Sequence, residues 1–119
     1  MTSNDIVVWV NAERSLLYSL KDRGFGLAID NSIKVEGGSE ENHNAFHSQS
    51  QFHEYFHKIF YALEHADRIL IVGPGSTKMH LIRHALKHNL SIDQKIVGIE
   101  TAHGSSEAEI LGLAKHYFS

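Results

Sequence analysis

The chain has 119 residues, 42% of them hydrophobic and 21% charged, and a formal net charge of -3, which indicates one globular domain. It has no cysteine, which excludes a disulfide framework and a thiolate metal site. The longest apolar run, Ile6 to Val10, is far shorter than the ~20 residues that span a bilayer, and the polar start lacks the basic segment of a secretory signal, so we expect no membrane segment and a cytoplasmic location. The mildly acidic balance excludes an attraction of the whole surface to nucleic acid and leaves only local contacts.

The first third of the sequence indicates β-strands. Ile6 to Val10 is a β-branched and aromatic run typical of a central strand buried on both faces, and a polar turn follows it. Leu16 to Leu20 is expected to return beside that strand. Apolar residues then alternate with polar ones from Phe25 to Val35, which is typical of paired strands with one solvated face, and we expect an interruption near residues 30 and 31.

A change of composition separates these strands from the rest of the chain. Residues 36–51 contain Gly, Ser, Glu, Asn, His and Gln without periodicity, which predicts a mobile loop inside a single domain of residues 1–119. Apolar residues recur at helical spacing from Phe52 to Leu63, which predicts an amphipathic helix.

The second half of the sequence alternates strands with helices. Ile69 to Val72 is an unbroken apolar run of the type found in parallel sheets. A strand at 95–100 and a helix at 107–118 end the chain. The order β-β-β-α-β-α-β-α predicts an α/β sandwich in which a meander precedes right-handed crossovers. For the helix after residue 76, the buried side is expected to comprise Met79, Ile82, Ala85 and Leu86.

The segment from His53 to His57 matches the motif H-E-x-x-H, in which two histidines one helical turn apart hold zinc and the glutamate activates a water molecule. Under this interpretation His53 and His57 are metal ligands and Glu54 is the base of a hydrolase. A third ligand has to come from another segment, and the loop supplies His43 and His47. A polar flank of a core helix explains the same residues without a metal. We prefer that interpretation and predict no metal and no other cofactor.

The turn Gly73-Pro74-Gly75-Ser76 joins a buried strand to the N-terminus of a helix, where free N–H groups favour an anion. Its spacing matches neither the P-loop nor the dinucleotide-binding pattern, because Lys78 stands three residues after Gly75. A tight turn with Ser76 or Thr77 as the helix cap explains these residues without a ligand.

Histidines recur every four residues along the following helix and are flanked by lysine and arginine, so that one helix face is basic in a mildly acidic protein. Such a face suits phosphates or an acidic partner, and a merely solvated face is the alternative. A zinc stripe is disfavoured because neutral ligands without a carboxylate bind loosely. The residues predicted to contact an anion or RNA are Gly75, Ser76, Thr77, Lys78, His80, Arg83, His84, Lys87 and His88.

Histidine is unusually frequent, with 10 residues in the chain. Imidazoles titrate near pH ~6.5, so the net charge should change from negative to positive as the pH falls through roughly 6. The sequence leaves open whether this change controls solubility and partner choice or has no function.

Several segments resemble a known group of proteins. Residues 69–78, ILIVGPGSTK, residues 95–101, KIVGIET, and residues 113–118, LAKHYF, are similar to small bacterial translational machinery proteins. Those proteins resemble the middle domain of archaeal and eukaryotic peptide-chain release factors and of ribosome-rescue factors. Residues 7–11, VVWVN, fit the same pattern. The resemblance implies an α/β fold, a ribonuclease H-like sandwich with a mixed five-stranded sheet in the order 3-2-1-4-5 and three helices.

The resemblance also bears on catalysis. In release factors the loop between the third strand and the first helix carries Gly-Gly-Gln, which enters the peptidyl-transferase centre, whereas the corresponding loop here contains Gly37, Gly38 and Ser39. Without that glutamine, hydrolysis of peptidyl-tRNA is not expected. Asn11 and His103 stand where the small relatives tend to have acidic residues. These departures disfavour a metal nuclease, because two-metal chemistry needs clustered carboxylates.

These observations predict a non-catalytic release-factor-like domain that associates with the ribosome or ribosomal RNA through the basic helix face and the histidine-rich loop. A metal-dependent hydrolase using residues 53–57 is one alternative. The other is a small protein-interaction module, for example a homodimer that pairs through an edge strand.

Overall fold

The computed structural model describes residues 4–21, 24–32, 49–104 and 106–118. Within these ranges no helix combines the length and the apolar character needed to cross a bilayer. The strands are β1 (Asp5–Val10), β2 (Arg14–Lys21), β3 (Gly24–Ser32), β4 (Arg68–Gly73) and β5 (Ile96–Thr101). The helices are α1 (Gln49–Ala62), α2 (Thr77–His88), α3 (Leu90–Asp93) and α4 (Glu107–Phe118).

The five strands form one mixed sheet in the order β3-β2-β1-β4-β5, which is the order that the resemblance implied. β1 pairs antiparallel with β2 and parallel with β4, and β5 pairs parallel with β4. All residues of β1, and all of β4 except Arg68, are buried, as expected for apolar runs with helices on both faces. At the start of both strands, the guanidinium of Arg68 donates to the two carboxylate oxygens of Asp5, at 2.9 and 2.6 Å.

Helices cover both faces of the sheet and make a three-layer sandwich. On one face, α1, α2 and α3 pack against alternate side chains of the inner strands, so that Val8 and Leu81 share one core. On the other face, α4 packs against the intervening side chains, so that Val7 and Ile110 share a second core. Alternation along a strand is what directs neighbouring residues into different cores.

The expected interruption of the third strand is wrong. Residues 30 and 31 of β3 pair in register with residues 15 and 16 of β2. The irregularity lies earlier in β3, opposite the step from Leu17 to Tyr18. A bulge accommodates an extra residue without ending the ladder, which explains why polar residues further on stay paired. Residues 33–35, which the prediction included, lie outside the described residues.

The predicted count of three helices is also wrong, because α3 lies between α2 and β5. Asn89 precedes it, and the Asn89 side-chain oxygen accepts a hydrogen bond from the N–H of Ile92 at 3.2 Å. A helix of four residues is too short to produce a hydrophobic period in the sequence. In addition, α1 begins at Gln49, so the end of the predicted loop is helical. The rest of that loop, residues 36–48, lies outside the described residues.

Two of the four residues predicted on the buried side of α2 are exposed, because Met79 is 40% and Leu86 57% exposed. Ala85 is buried and Ile82 is partly buried, as predicted, and Leu81 is buried although it was not predicted. The apolar residues of α2 extend over more than one side of the helix, so periodicity alone does not select the side that faces the sheet. The actual orientation brings the ring of His84 within reach of α1.

Candidate functional site

The turn between β4 and α2 depends on two glycines in backbone conformations that other residues rarely adopt. Gly73 has a φ of 152° and Gly75 a φ of 62°. Ser76 occupies the N-cap position of α2, but its side chain makes no capping hydrogen bond. The N–H of His80 instead donates to the carbonyl oxygen of Ser76, at 3.2 Å. Thr77 is the first residue of α2 and is buried, so the turn is set by its backbone.

Lys78 is buried and stabilises this turn through a hydrogen bond. It is only 7% exposed, and its Nζ donates a hydrogen bond to the carbonyl oxygen of Gly75, at 2.5 Å. A buried ammonium group needs such a partner. The structure therefore separates Lys78 from the exposed basic residues with which the sequence analysis grouped it.

Three of the predicted contact residues remain on an exposed basic surface. His80, Arg83 and Lys87 are all exposed, and we call them the α2 basic face. No aspartate or glutamate occurs between Gly73 and Ile92 in the sequence, so no acidic residue of this segment neutralises the face. The arrangement can bind phosphates or carboxylates from solution.

The remaining histidines of α2 meet the two histidines of the H-E-x-x-H motif. His53 and His57 stack on α1 with ring centroids 4.1 Å apart, and the rings of His84 and His88 lie 4.4 Å apart on α2. Between the helices, the His84 ring is 5.1 Å from that of His53 and 5.2 Å from that of His57. We call these four residues the histidine cluster.

His84 is the innermost member of the cluster. Its Nε2 is buried and has no hydrogen-bond partner among the described residues. The rings of Phe56 and Phe60 lie 5.4 and 5.9 Å from the His84 ring, and they offer no conventional hydrogen-bonding group. A buried polar atom without a partner costs free energy, so this nitrogen calls for an explanation.

The surroundings lower the pKa of two imidazoles of the cluster. Burial, followed by charge repulsion from His88, His57 and His53 and from Lys87, lowers the pKa of His84 to about 4. Burial also lowers the pKa of His57, with smaller contributions from His53 and His88. Neutral imidazoles have a free lone pair, which is the form that binds a metal.

Three members of the cluster bring possible metal ligands close together. One ligand nitrogen from each of His53, His84 and His88 lies within 4.8 Å of the other two. This set differs from the one that the motif suggested, because two of its members come from α2. Glu54 is exposed on α1, and it is not part of the set. The other suggested ligands, His43 and His47, lie outside the described residues, as do the loop residues Gly37, Gly38 and Ser39.

The sequence carries a signal for this cluster in its histidine spacing. H-x-x-x-H occurs at residues 43 and 47, 53 and 57, 80 and 84, and 84 and 88, and the cluster contains the pairs 53 and 57 and 84 and 88. Each of these two pairs lies on one side of its own helix. Only the sandwich topology, with α1 and α2 on the same face of the sheet, brings the two pairs together.

Comparison by sequence matches the chain to no protein family and to no curated protein. Comparison by structure shows similarity to Archaeoglobus fulgidus Pelota, with a TM-score of 0.70 and 9% identity over 97% of this chain and 31% of that protein. An archaeal translation termination factor, aRF1, gives a TM-score of 0.64 and 11% identity over 89% of this chain and 32% of that protein. The chain is also similar to Saccharomyces cerevisiae Dom34, with a TM-score of 0.63 and 12% identity over 95% of this chain and 33% of that protein. Dom34 is described as a translation termination-like factor involved in RNA quality control pathways and interacting with Hbs1.

The chain spans about a third of the length of each of these proteins. At identities of 9 to 12%, the likeness shows the fold and no more. The fold agrees with the resemblance to release-factor-like translation factors that residues 69–78 and 95–101 carry.

Proposed function

We propose that this chain is a non-catalytic, release-factor-like domain that acts in translation by binding ribosomal particles through the phosphates of ribosomal RNA. The observation that carries the proposal is the fold, which nearly the whole chain shares with one part of a translation termination factor and of termination-like factors. Fold alone does not determine function. The proposal therefore also needs a surface that suits RNA.

The α2 basic face is that surface. His80, Arg83 and Lys87 are exposed on one helix, with no acidic residue in the surrounding segment. Lysine and arginine release counterions when they neutralise phosphates, which supplies affinity without sequence specificity.

The proposed absence of catalysis follows from residue chemistry. The loop of the release factors carries Gly-Gly-Gln, whereas the sequence here has Ser39 after Gly37 and Gly38. A hydrolase centred on His53, Glu54 and His57 stays a second hypothesis. That hypothesis needs His53 and His57 to hold the metal together, but the group of metal-capable side chains found in the described ranges joins His53 to His84 and His88 and does not include His57.

We assign the sandwich to the ribonuclease H-like type and the chain to the small bacterial translational machinery proteins that it resembles. Binding to ribosomal particles requires a cytoplasmic location. The homodimer through an edge strand stays a prediction.

Co-sedimentation with ribosomal particles tests this function. At low salt, we expect the protein to be enriched in ribosomal fractions, and we expect Arg83→Glu with Lys87→Glu to reduce the apparent affinity on the order of tenfold, because two favourable phosphate contacts become repulsive. The matched control is Lys58→Glu with Lys115→Glu, which changes the net charge equally on α1 and α4, and it should retain binding. Absence of enrichment, or an equal loss in the control, would contradict the proposal.

A further inference from the structure

We propose that His53, His84 and His88 bind a divalent transition metal ion of the zinc class, which joins α1 to α2. Their ligand nitrogens lie within 4.8 Å of one another. Bonds of ~2.0–2.1 Å place two nitrogen ligands of a tetrahedral zinc ion about 3.4 Å apart. The ligand nitrogens therefore have to approach one another by up to about 1.4 Å, a displacement within reach of small side-chain rotations. His53 and His88 are exposed, so they have room to make them.

The Nε2 atom of His84 is an independent observation that points to a ligand. It is buried between the helices and lacks a hydrogen-bond partner among the described residues. Buried nitrogens are normally hydrogen-bonded or bound to an ion. A metal ion in the space that His84 shares with His53 and His88 would satisfy this atom, whereas the neighbouring phenylalanine rings leave it unsatisfied.

The proposed site is accessible to an ion from outside the protein. The exposed positions of His53 and His88 give an ion access from solvent.

The donor set selects the class of metal. Unlike the zinc stripe along one helix, which the sequence disfavours, this set takes its ligands from α1 and α2. Three imidazole nitrogens suit Zn²⁺, Cu²⁺, Ni²⁺ and Co²⁺, and they do not suit Mg²⁺ or Ca²⁺, which prefer oxygen ligands. A thiolate site is excluded because the chain has no cysteine. We take Zn²⁺ as the probe because it accepts a tetrahedral set of three or four histidines.

His57 is placed to complete or border the coordination. Its ring stacks on that of His53 at 4.1 Å and lies 5.2 Å from that of His84. The fourth position is open either to His57 or to water. In both cases the ion connects residues from two helices, so we assign it a structural role as a clamp between α1 and α2. This inference does not depend on the proposed binding of ribosomal particles.

Titration calorimetry of untagged, chelator-treated protein with Zn²⁺ tests the inference. We expect one ion per chain, and we expect His84→Gln and His88→Gln each to weaken binding at least about tenfold. Loss of a residue that only hydrogen-bonds a metal ligand already lowers metal affinity about 10–100-fold. Zn²⁺ should also raise the melting temperature of the wild-type protein, since it binds the folded state, and it should have less effect on these variants.

A control variant separates this site from general metal binding by a histidine-rich protein. The triple substitution of His65, His103 and His116 by glutamine removes three exposed imidazoles outside the cluster and should retain one-to-one binding. Absence of stoichiometric binding, an equal loss in this control, or unchanged binding in His88→Gln would overturn the inference. Loss in His57→Gln with retention in His88→Gln would move the site to the H-E-x-x-H pair and would also overturn it.

The result stays interpretable if one variant fails to fold. His84 contacts the core rings of Phe56 and Phe60, so circular dichroism of His84→Gln has to precede the titration. His53 and His88 are exposed, and their substitution should leave the fold intact. If His84→Gln does not fold, His53→Gln together with His88→Gln decides the question on the same criteria.

Discussion

Replacing Gly73 with alanine is expected to lower the free energy of unfolding by about 3 kcal/mol or more. Gly73 ends β4 with a φ of 152°, a conformation that costs about 1–3 kcal/mol for a residue with a side chain. In addition, a Cβ at this position would overlap the carbonyl oxygen of Val10 at the end of β1. Because that oxygen belongs to the backbone of an inner strand, it cannot move away without disturbing the sheet. Chemical denaturation of the two proteins measures the effect.

Gly75→Ala is the matched control in the same turn. Gly75 also has a positive φ, 62°, but a Cβ there would meet no atom within 4 Å. We expect a loss of only about 1–2 kcal/mol, which reflects the left-handed conformation alone. Equal losses for the two variants would show that the close approach of Gly73 to Val10 is not important for stability.

Acidification of the metal-free protein is expected to destabilise it through His84. In the unfolded chain this imidazole takes up a proton near pH ~6.5, whereas in the folded protein burial lowers its pKa to about 4. Between these values the unfolded state binds more protons, so the free energy of unfolding falls as the pH falls. His84 should account for about 2 kcal/mol of the loss between pH 7 and pH 5.

The charged and titratable groups around His84 reinforce this effect. His53 and His57 on α1, and His88 and Lys87 on α2, all repel a proton on His84. The lowered pKa of His57 acts in the same direction.

Denaturation at pH 7 and pH 5, with a chelator present, checks the sign and size of this dependence. His84→Gln should reduce the pH dependence by about 2 kcal/mol, whereas His80→Gln, which removes an exposed imidazole from the same helix, should leave it almost unchanged. Equal pH dependence in the wild-type protein and in His84→Gln would contradict the assignment.

Local sequence patterns predicted the sheet well because its inner strands are simple. The apolar runs at 6–10 and 69–72 have no polar residue to interrupt them, and a strand buried on both faces needs such a run. The resemblance supplied the strand order that the structure has. The prediction of an interruption at residues 30 and 31 was wrong, because these polar residues pair with β2 and the bulge lies earlier in β3.

Long-range neighbours were not predictable in the same way. The apolar residues of α2 allow more than one buried side, and the choice between Leu81 and Leu86 depends on how the helix lies on the sheet. That choice turns His84 toward His53 and leaves Arg83 exposed. Sequence reasoning therefore found both the histidine motif and the basic residues, but it could not divide the histidines of α2 between a cluster and an exposed face.

The salt dependence of binding to purified ribosomal particles tests the central claim most directly. If the α2 basic face contacts RNA phosphates, the logarithm of the affinity should fall linearly with the logarithm of the salt concentration. Arg83→Gln with Lys87→Gln should then make this negative slope shallower by about 1.5, because each phosphate contact contributes about 0.7–0.9 to its magnitude. An unchanged slope in this variant, or no measurable binding of the wild-type protein at low salt, would contradict the account.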